Sequence, residues 1–285
     1  MDKLKAYVEL TKPRITLLLL AVAMASFYVA SPGAVNWPRL AVLTVATALL
    51  AGGVFALNAY MERSSDLLMR RTENRPLPSR RLPPRNVLIF GAVLTASAVL
   101  LHSLLLGWVT GTLAFLVFVS YDLVYTPLKR RTELHTALGA ISGAIPPLLG
   151  WAAARGSLDA NAWILFAILY LWQFPHFIAI EVMYKDDYAR AGIRIIPALE
   201  PQGNAAAATI ISAVCLLLIA GAVPSLTGLA GKIYLVGGLL VGVGFLAAGV
   251  FFAANKTRKR ARFVLLASVA YLPLVFVLMV ADAAR

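Results

Sequence analysis

Asn58-Ala-Tyr-Met-Glu62-Arg-Ser-Ser-Asp66-Leu-Leu-Met-Arg70-Arg71-Thr72-Glu-Asn74-Arg75-Pro76-Leu-Pro78 is where a long apolar run ends and a basic stretch begins. On a helix each four-residue step turns the side chain by only about 40°, so Asn58, Glu62 and Asp66 share one face. Such oxygens suit a hard cation like Mg²⁺, with waters and substrate phosphates completing its shell. Arg70, Arg71 and Arg75 suit the phosphate oxygens left over, because a guanidinium grips phosphate through two parallel bonds. Pro76 and Pro78 stop any helix and stiffen the loop behind Arg75. Asn58 falls within the apolar run, where a polar side chain is costly and marks function. The stretch predicts a site for a metal-bound diphosphate at the rim of a membrane span.

The rest of the chain supplies the membrane. It is 60% hydrophobic and 14% charged, with mean hydropathy +0.80. Its apolar runs exceed the ~20 residues that cross a bilayer. Too little polar surface exists to cover a soluble helical protein. The expected fold is all-α, a polytopic membrane helical bundle of about nine transmembrane helices at 15–35, 38–61, 86–106, 108–127, 134–154, 161–184, 206–226, 231–254 and 262–282. Residues 1–285 read as a single transmembrane domain. The first span is too long and too closely followed by others for a cleaved signal peptide, and the segment before it lacks the character of a transit peptide.

A net charge of +13 raises the question of nucleic acid, and its placement answers it. Apart from Arg39, Arg155, Lys232 and Arg285, every Lys and Arg falls in 1–14, 63–85, 129–131, 185–194 or 256–262. With nine spans these five segments share one side. The positive-inside rule then puts the N-terminus in the cytoplasm and the C-terminus outside. The excess is topology and substrate phosphate, with no nucleic-acid partner. The single cysteine, Cys215, excludes an internal disulfide and a cysteine metal cluster.

Two further constellations fall on the basic side. Tyr121-Asp122-Leu-Val-Tyr125-Thr126-Pro127-Leu-Lys129-Arg130-Arg131-Thr132-Glu-Leu-His135 places Lys129 and Arg130 within reach of a leaving diphosphate. The run Gly139 to Pro147 that follows is rich in small residues, which let helices approach closely. Trp172-Gln173-Phe174-Pro175-His176-Phe177, then Glu181 and Tyr184-Lys185-Asp186-Asp187-Tyr188-Ala-Arg190-Ala-Gly192, close the set. His176 is either a hydrogen-bonded structural residue or a ligand to a metal such as haem iron. Asp186 and Asp187 either hold a second Mg²⁺ or pair with Arg190 or Lys185. The segment Asn255 to Arg262 reads as a topology and headgroup anchor.

Together these segments resemble the UbiA-type intramembrane prenyltransferases over roughly residues 7–280. The Asn58-x-x-x-Glu62…Asp66 run with Arg-Pro-Leu-Pro is similar to the family's first acidic motif. The Tyr125-Thr-Pro-Leu-Lys129-Arg-Arg-Thr loop, the Gly139-Ala-x-x-Gly-Ala-x-Pro-Pro run, Pro175-His-Phe and Asp186-Asp-Tyr resemble the branch that farnesylates haem. The resemblance implies farnesyl diphosphate and haem B as substrates within a lipid bilayer, haem O and diphosphate as products, and Mg²⁺ as cofactor. It implies Asn58, Glu62, Asp66 and Asp187 on the metal, Lys129, Arg70, Arg71, Arg75 and Arg130 on the diphosphate, and Tyr121, Tyr125, Trp172, Phe177 and His176 around the prenyl chain and haem. It also implies a bacterial inner membrane and makes haem A synthase a candidate partner. Three positions depart from the family: Ser64 stands where an aspartate is usual, His135 where an Asn is common, and Arg194 where a Pro is common. Two other readings stay open, a prenyltransferase for a quinone precursor and a transporter of an anionic amphiphile.

Overall fold

The computed structural model describes residues 2–31, 33–200 and 202–283, and Arg285 lies outside them. Among the described residues nine helices are long and apolar enough to cross a membrane: Pro13–Ala30, Trp37–Asp66, Pro84–Leu106, Trp108–Leu128, His135–Arg155, Ala160–Met183, Asn204–Leu226, Lys232–Ala254 and Arg258–Ala281. They are spans 1 to 9 below. A short helix, Asp2–Leu10, precedes them.

The ends follow local chemistry. Pro13, whose missing N–H costs nothing in a first turn, opens span 1. Span 2 is capped by the Asn36 side chain, which accepts from the Arg39 N–H at 3.0 Å. The Asp159 carboxylate caps span 6, and the Thr257 hydroxyl caps span 9. Span 1 stops at Ala30, short of the expected 35, because Ser31 precedes a proline and turns extended. Span 2 runs to Asp66 rather than 61, so the whole Asn58–Asp66 ladder is helical.

Spans 3, 4 and 5 are irregular, span 3 ending in π-type turns over His102–Leu106. Span 4 has wide π-type turns over Val119–Tyr125, a distortion frequent at functional sites. Span 5 is broken between Gly143 and Pro146, and the Ser26 hydroxyl of span 1 donates to the Pro147 carbonyl at 2.6 Å. A Cβ on Gly150 would overlap the Ala23 backbone, so spans 1 and 5 touch main chain to main chain.

Buried Trp151, Phe27, Leu148, Leu165 and Tyr271 belong to the main core. Leu104, Leu240 and Val277 are among the large apolar residues left exposed, as a lipid-facing surface requires. The sparse cations of one end are used structurally. Arg39 donates to the Leu106 carbonyl at 2.7 Å and to that of Ala153, and Arg155 donates to Ala30 at 2.9 Å, satisfying helix-end carbonyls. His102 is fully buried there, away from the other end's cavity. At that other end Arg81 pairs with Glu9 at 2.8 Å, and the Arg194 N–H reaches the Lys129 carbonyl at 3.1 Å. These contacts tie one long loop to the leading helix and two others to each other.

Candidate functional site

Span 2 presents Asn58, Glu62 and Asp66 to a cavity of about 230 Å³ at the basic end. Asn58 is buried and donates its amide to the Thr126 hydroxyl at 3.0 Å. One turn on, Glu62 accepts from the Lys129 ammonium at 2.6 Å, with both side chains largely buried (12% and 15% exposed). One turn further, Asp66 is 1% exposed, and a single Arg75 nitrogen contacts both its oxygens at 3.0 and 2.9 Å. The Thr72 hydroxyl and the Asp66 carbonyl close the turn between them at 2.7 Å. Ser64 is exposed on the far face of the helix, so its substitution removes nothing from the cavity wall.

Lys12 completes the cluster, and the motifs above omitted it. It occupies the left-handed turn between the short leading helix and Pro13, at φ 46°. Its ammonium donates to the Asn58 side-chain Oδ1 at 3.3 Å and lies 4.6 Å above the Phe55 ring. A non-glycine residue in that conformation is strained, and such strain concentrates at functional sites. Burial pushes the Lys12 ammonium down to about 7, and nearby Arg75 adds repulsion that Glu62 only partly offsets. Burial also disfavours the Lys129 charge, but the attached Glu62 outweighs it and holds that ammonium well above its ordinary value.

The wall below the charges is aromatic. Tyr121, Tyr125, His176 and Phe177 line the same cavity. Tyr121 and Tyr125 pack at 5.1 Å, and the Lys129 ammonium lies 4.4 Å above the Tyr125 ring. Gly139 makes this possible, since a Cβ there would strike that ring. Glu181 accepts from the Thr136 hydroxyl at 2.9 Å, and His135 bonds the Arg194 carbonyl at 2.7 Å; all but Arg194 face the cavity. His135 and Arg194, two of the three positions that depart from the pattern of the resemblance, are joined by this side-chain to main-chain bond.

The structure does not gather every expected residue. Arg71 reaches the cavity, but Arg70 lines a neighbouring groove and Arg130 is exposed outside both. Trp172 lies behind the wall, donating to the Ser268 carbonyl at 2.7 Å and stacking on His176 at 4.8 Å. Asp187 is turned away from Asn58, Glu62 and Asp66. It accepts from the Arg71 N–H at 3.1 Å and from Arg190, so as placed it braces the loop and does not reach a shared ion. Asp122 and Thr126, within the quoted motif, face span 2. Thr126 bonds Asn58, while neither oxygen of buried Asp122 has a protein partner.

The donor set fits one hard cation. No group of three His, Cys, Asp or Glu among the described residues can cage a metal. Two carboxylates and a carboxamide on one helix face match Mg²⁺, which keeps waters and takes phosphate oxygens from its substrate. Lys129 and Arg75 balance the charge of those carboxylates.

Residues 18–276 match the model of the UbiA prenyltransferase family. A protoheme IX farnesyltransferase of Solibacter usitatus (strain Ellin6076) is 44% identical, covering 98% of this chain and 99% of its own. One from Salinibacter ruber (strain DSM 13855 / M31) is 41% identical, covering 97% and 98%. Among solved structures, a digeranylgeranylglyceryl phosphate synthase superposes with TM-score 0.82 at 17% identity, covering 99% of both chains. A UbiA homologue of Archaeoglobus fulgidus bound to GPP and Mg²⁺ superposes with TM-score 0.64 at 14% identity, covering 96% and 99%.

Proposed function

This chain belongs to the UbiA prenyltransferase family, and from that premise we propose that it transfers the farnesyl group of farnesyl diphosphate to a vinyl group of haem B. The observation that carries the reading is the cavity itself. Three oxygen donors and four cations stand at its mouth, and an aromatic wall lies beneath. The relatives named protoheme IX farnesyltransferase support the acceptor. The Archaeoglobus fulgidus homologue bound to GPP and Mg²⁺ supports a metal-bound prenyl diphosphate. The fold is that of a multi-pass membrane protein, and we place it in a bacterial inner membrane with the charged mouth and N-terminus facing the cytoplasm.

The residues divide the work. Asn58, Glu62 and Asp66 would hold Mg²⁺, which supplies charge neutralisation at the diphosphate when bound. Lys129 and Arg75, released from their carboxylates, then contact phosphate oxygens together with Lys12 and Arg71. The allylic C1–O bond breaks and its electron pair leaves on diphosphate. The vinyl terminal carbon bonds to C1, a water oxygen bonds to the inner vinyl carbon, and the water proton passes to solvent. The faces of Tyr121, Tyr125 and Phe177 stabilise the farnesyl cation and keep water from C1 until the vinyl group arrives.

Purified protein with farnesyl diphosphate, haem B and Mg²⁺ is expected to yield a more hydrophobic haem on reverse-phase chromatography, and EDTA is expected to abolish it. An unchanged haem, or product formed equally with EDTA, refutes the reading. Lys12 gives a pH signature. Its charge is present below about pH 7 and lost above. The kcat/KM for farnesyl diphosphate reports the free enzyme, so it should fall as pH rises through that value. Lys12→Arg, charged throughout, should flatten that limb; an identical profile in the variant excludes Lys12 as its source.

A further inference from the structure

Beside the diphosphate cavity, on the side of spans 6 and 9, lies a second basic hollow. Its two adjoining parts, of about 390 and 660 Å³, share Met183, Tyr184 and Arg258. Arg190 enters from the loop after span 6, and Arg258, Lys259 and Arg262 from the start of span 9. Tyr184 is flanked by guanidinium groups, Arg71 at 5.0 Å from its ring centre and Arg258 at 5.7 Å. Asp186 and Asp187 also line the part next to Arg190, where Asp187 pairs with Arg190, but among the described residues no carboxylate pairs with Arg258, Lys259 or Arg262. Positive-inside topology accounts for cations on this side of the membrane. It does not account for their convergence on one tyrosine.

The hollow is in register with the reaction cavity. Arg71 lines both, and its guanidinium donates to the Tyr188 hydroxyl at 3.2 Å on the cavity side. His176 and Ile180 share one face of span 6 in the cavity, and Tyr184, the residue that ends the helix, lies four positions further on in the basic hollow. The eight residues from His176 to Tyr184 rise about 12 Å. A porphyrin carries its propionates on the edge opposite its vinyl groups, and that rise is comparable to the distance between the two edges. An acceptor with its vinyl edge at the level of His176 therefore has its carboxylates at the level of Tyr184.

We propose that Arg258, Lys259 and Arg262 bind the two propionate carboxylates of the haem acceptor and so decide which edge of the porphyrin meets the farnesyl carbon. The inference rests on the reading of haem B as acceptor. Guanidinium groups bind carboxylates in forked, charge-assisted pairs, which orient as well as attract. An anionic lipid headgroup offers related chemistry, so the test separates the two sources.

Arg258→Gln/Arg262→Gln is compared with the native protein on haem B and on its propionate dimethyl ester, in vesicles with and without anionic lipid. The expected result is a rise of about tenfold in KM for haem B, equivalent to the loss of one strong charged pair. KM for farnesyl diphosphate should hold, and the diester should be used equally by both proteins. A spectroscopic haem titration should show the same weakening without turnover, and Arg258→Lys/Arg262→Lys should recover most of it. An unchanged KM for haem B overturns the proposal, as does a loss equal for acid and diester. A loss that follows the anionic lipid content, whichever haem is offered, assigns the hollow to headgroups instead. If the native protein farnesylates no haem at all, the functional reading fails, and the titration still decides whether the hollow binds carboxylates.

Discussion

Asp66→Asn is expected to lower kcat by about 10³-fold while leaving the fold intact. Asn keeps the shape and one carbonyl acceptor for Arg75, which contacts Asp66 at 2.9 and 3.0 Å. The Thr72 bond goes to the Asp66 main chain and survives. The lost charge belongs to the second of only two carboxylates on the cavity face of span 2. An ion held by Asn58 and Glu62 alone binds more weakly, and the departing diphosphate meets less positive charge. The effect should therefore appear in kcat and as a higher Mg²⁺ requirement, with a smaller loss of stability than at Lys129, because Arg75 is 33% exposed and can be hydrated when its partner loses charge. Activity within tenfold of native at ordinary Mg²⁺ would remove Asp66 from the ion. Ser64→Asp makes the matching negative expectation, because position 64 points away from the cavity and Mg²⁺ affinity should not change.

The Lys129–Glu62 pair should separate stability from catalysis. The pair is short at 2.6 Å, largely buried, and lies among Lys12, Tyr125 and Arg75. Removing one member of a buried pair leaves the other charge uncompensated and costs about 3 kcal/mol or more, whereas replacing both is far milder. Lys129→Met is therefore expected to destabilise the protein clearly, and Glu62→Gln/Lys129→Met to regain most of that loss in a double-mutant cycle. Activity should not follow. Lys129→Met removes a diphosphate contact, and adding Glu62→Gln removes a carboxylate charge from the metal site, so kcat/KM should stay at least 10²-fold down in both. A double variant that recovers stability and turnover together would make the pair purely structural.

The periodicity of Asn58, Glu62 and Asp66 was legible because it needs only the helical repeat, and the extension of span 2 to Asp66 strengthens it. The spans were legible because a bilayer demands long apolar runs. Their ends erred where a local signal outweighed the apolar average, as at Ser31. Lys12 was not legible as a site residue, since one lysine in a basic N-terminal segment looks like topology. Asp187 was legible as acidic and near the rim. Which partner it takes depends on where Arg190 and the Arg71 main chain fall.

The amino-acid order alone determined that this is a bundle of membrane spans with its charge at one rim, because burial in lipid and helical spacing are properties of single segments. Tertiary structure decided which charges share a cavity. Glu62 meets Lys129 across 67 positions, and Lys12 meets Asn58 across 46. Such pairings are set by how helices cross and how loops fold back, and no segment read by itself carries that information.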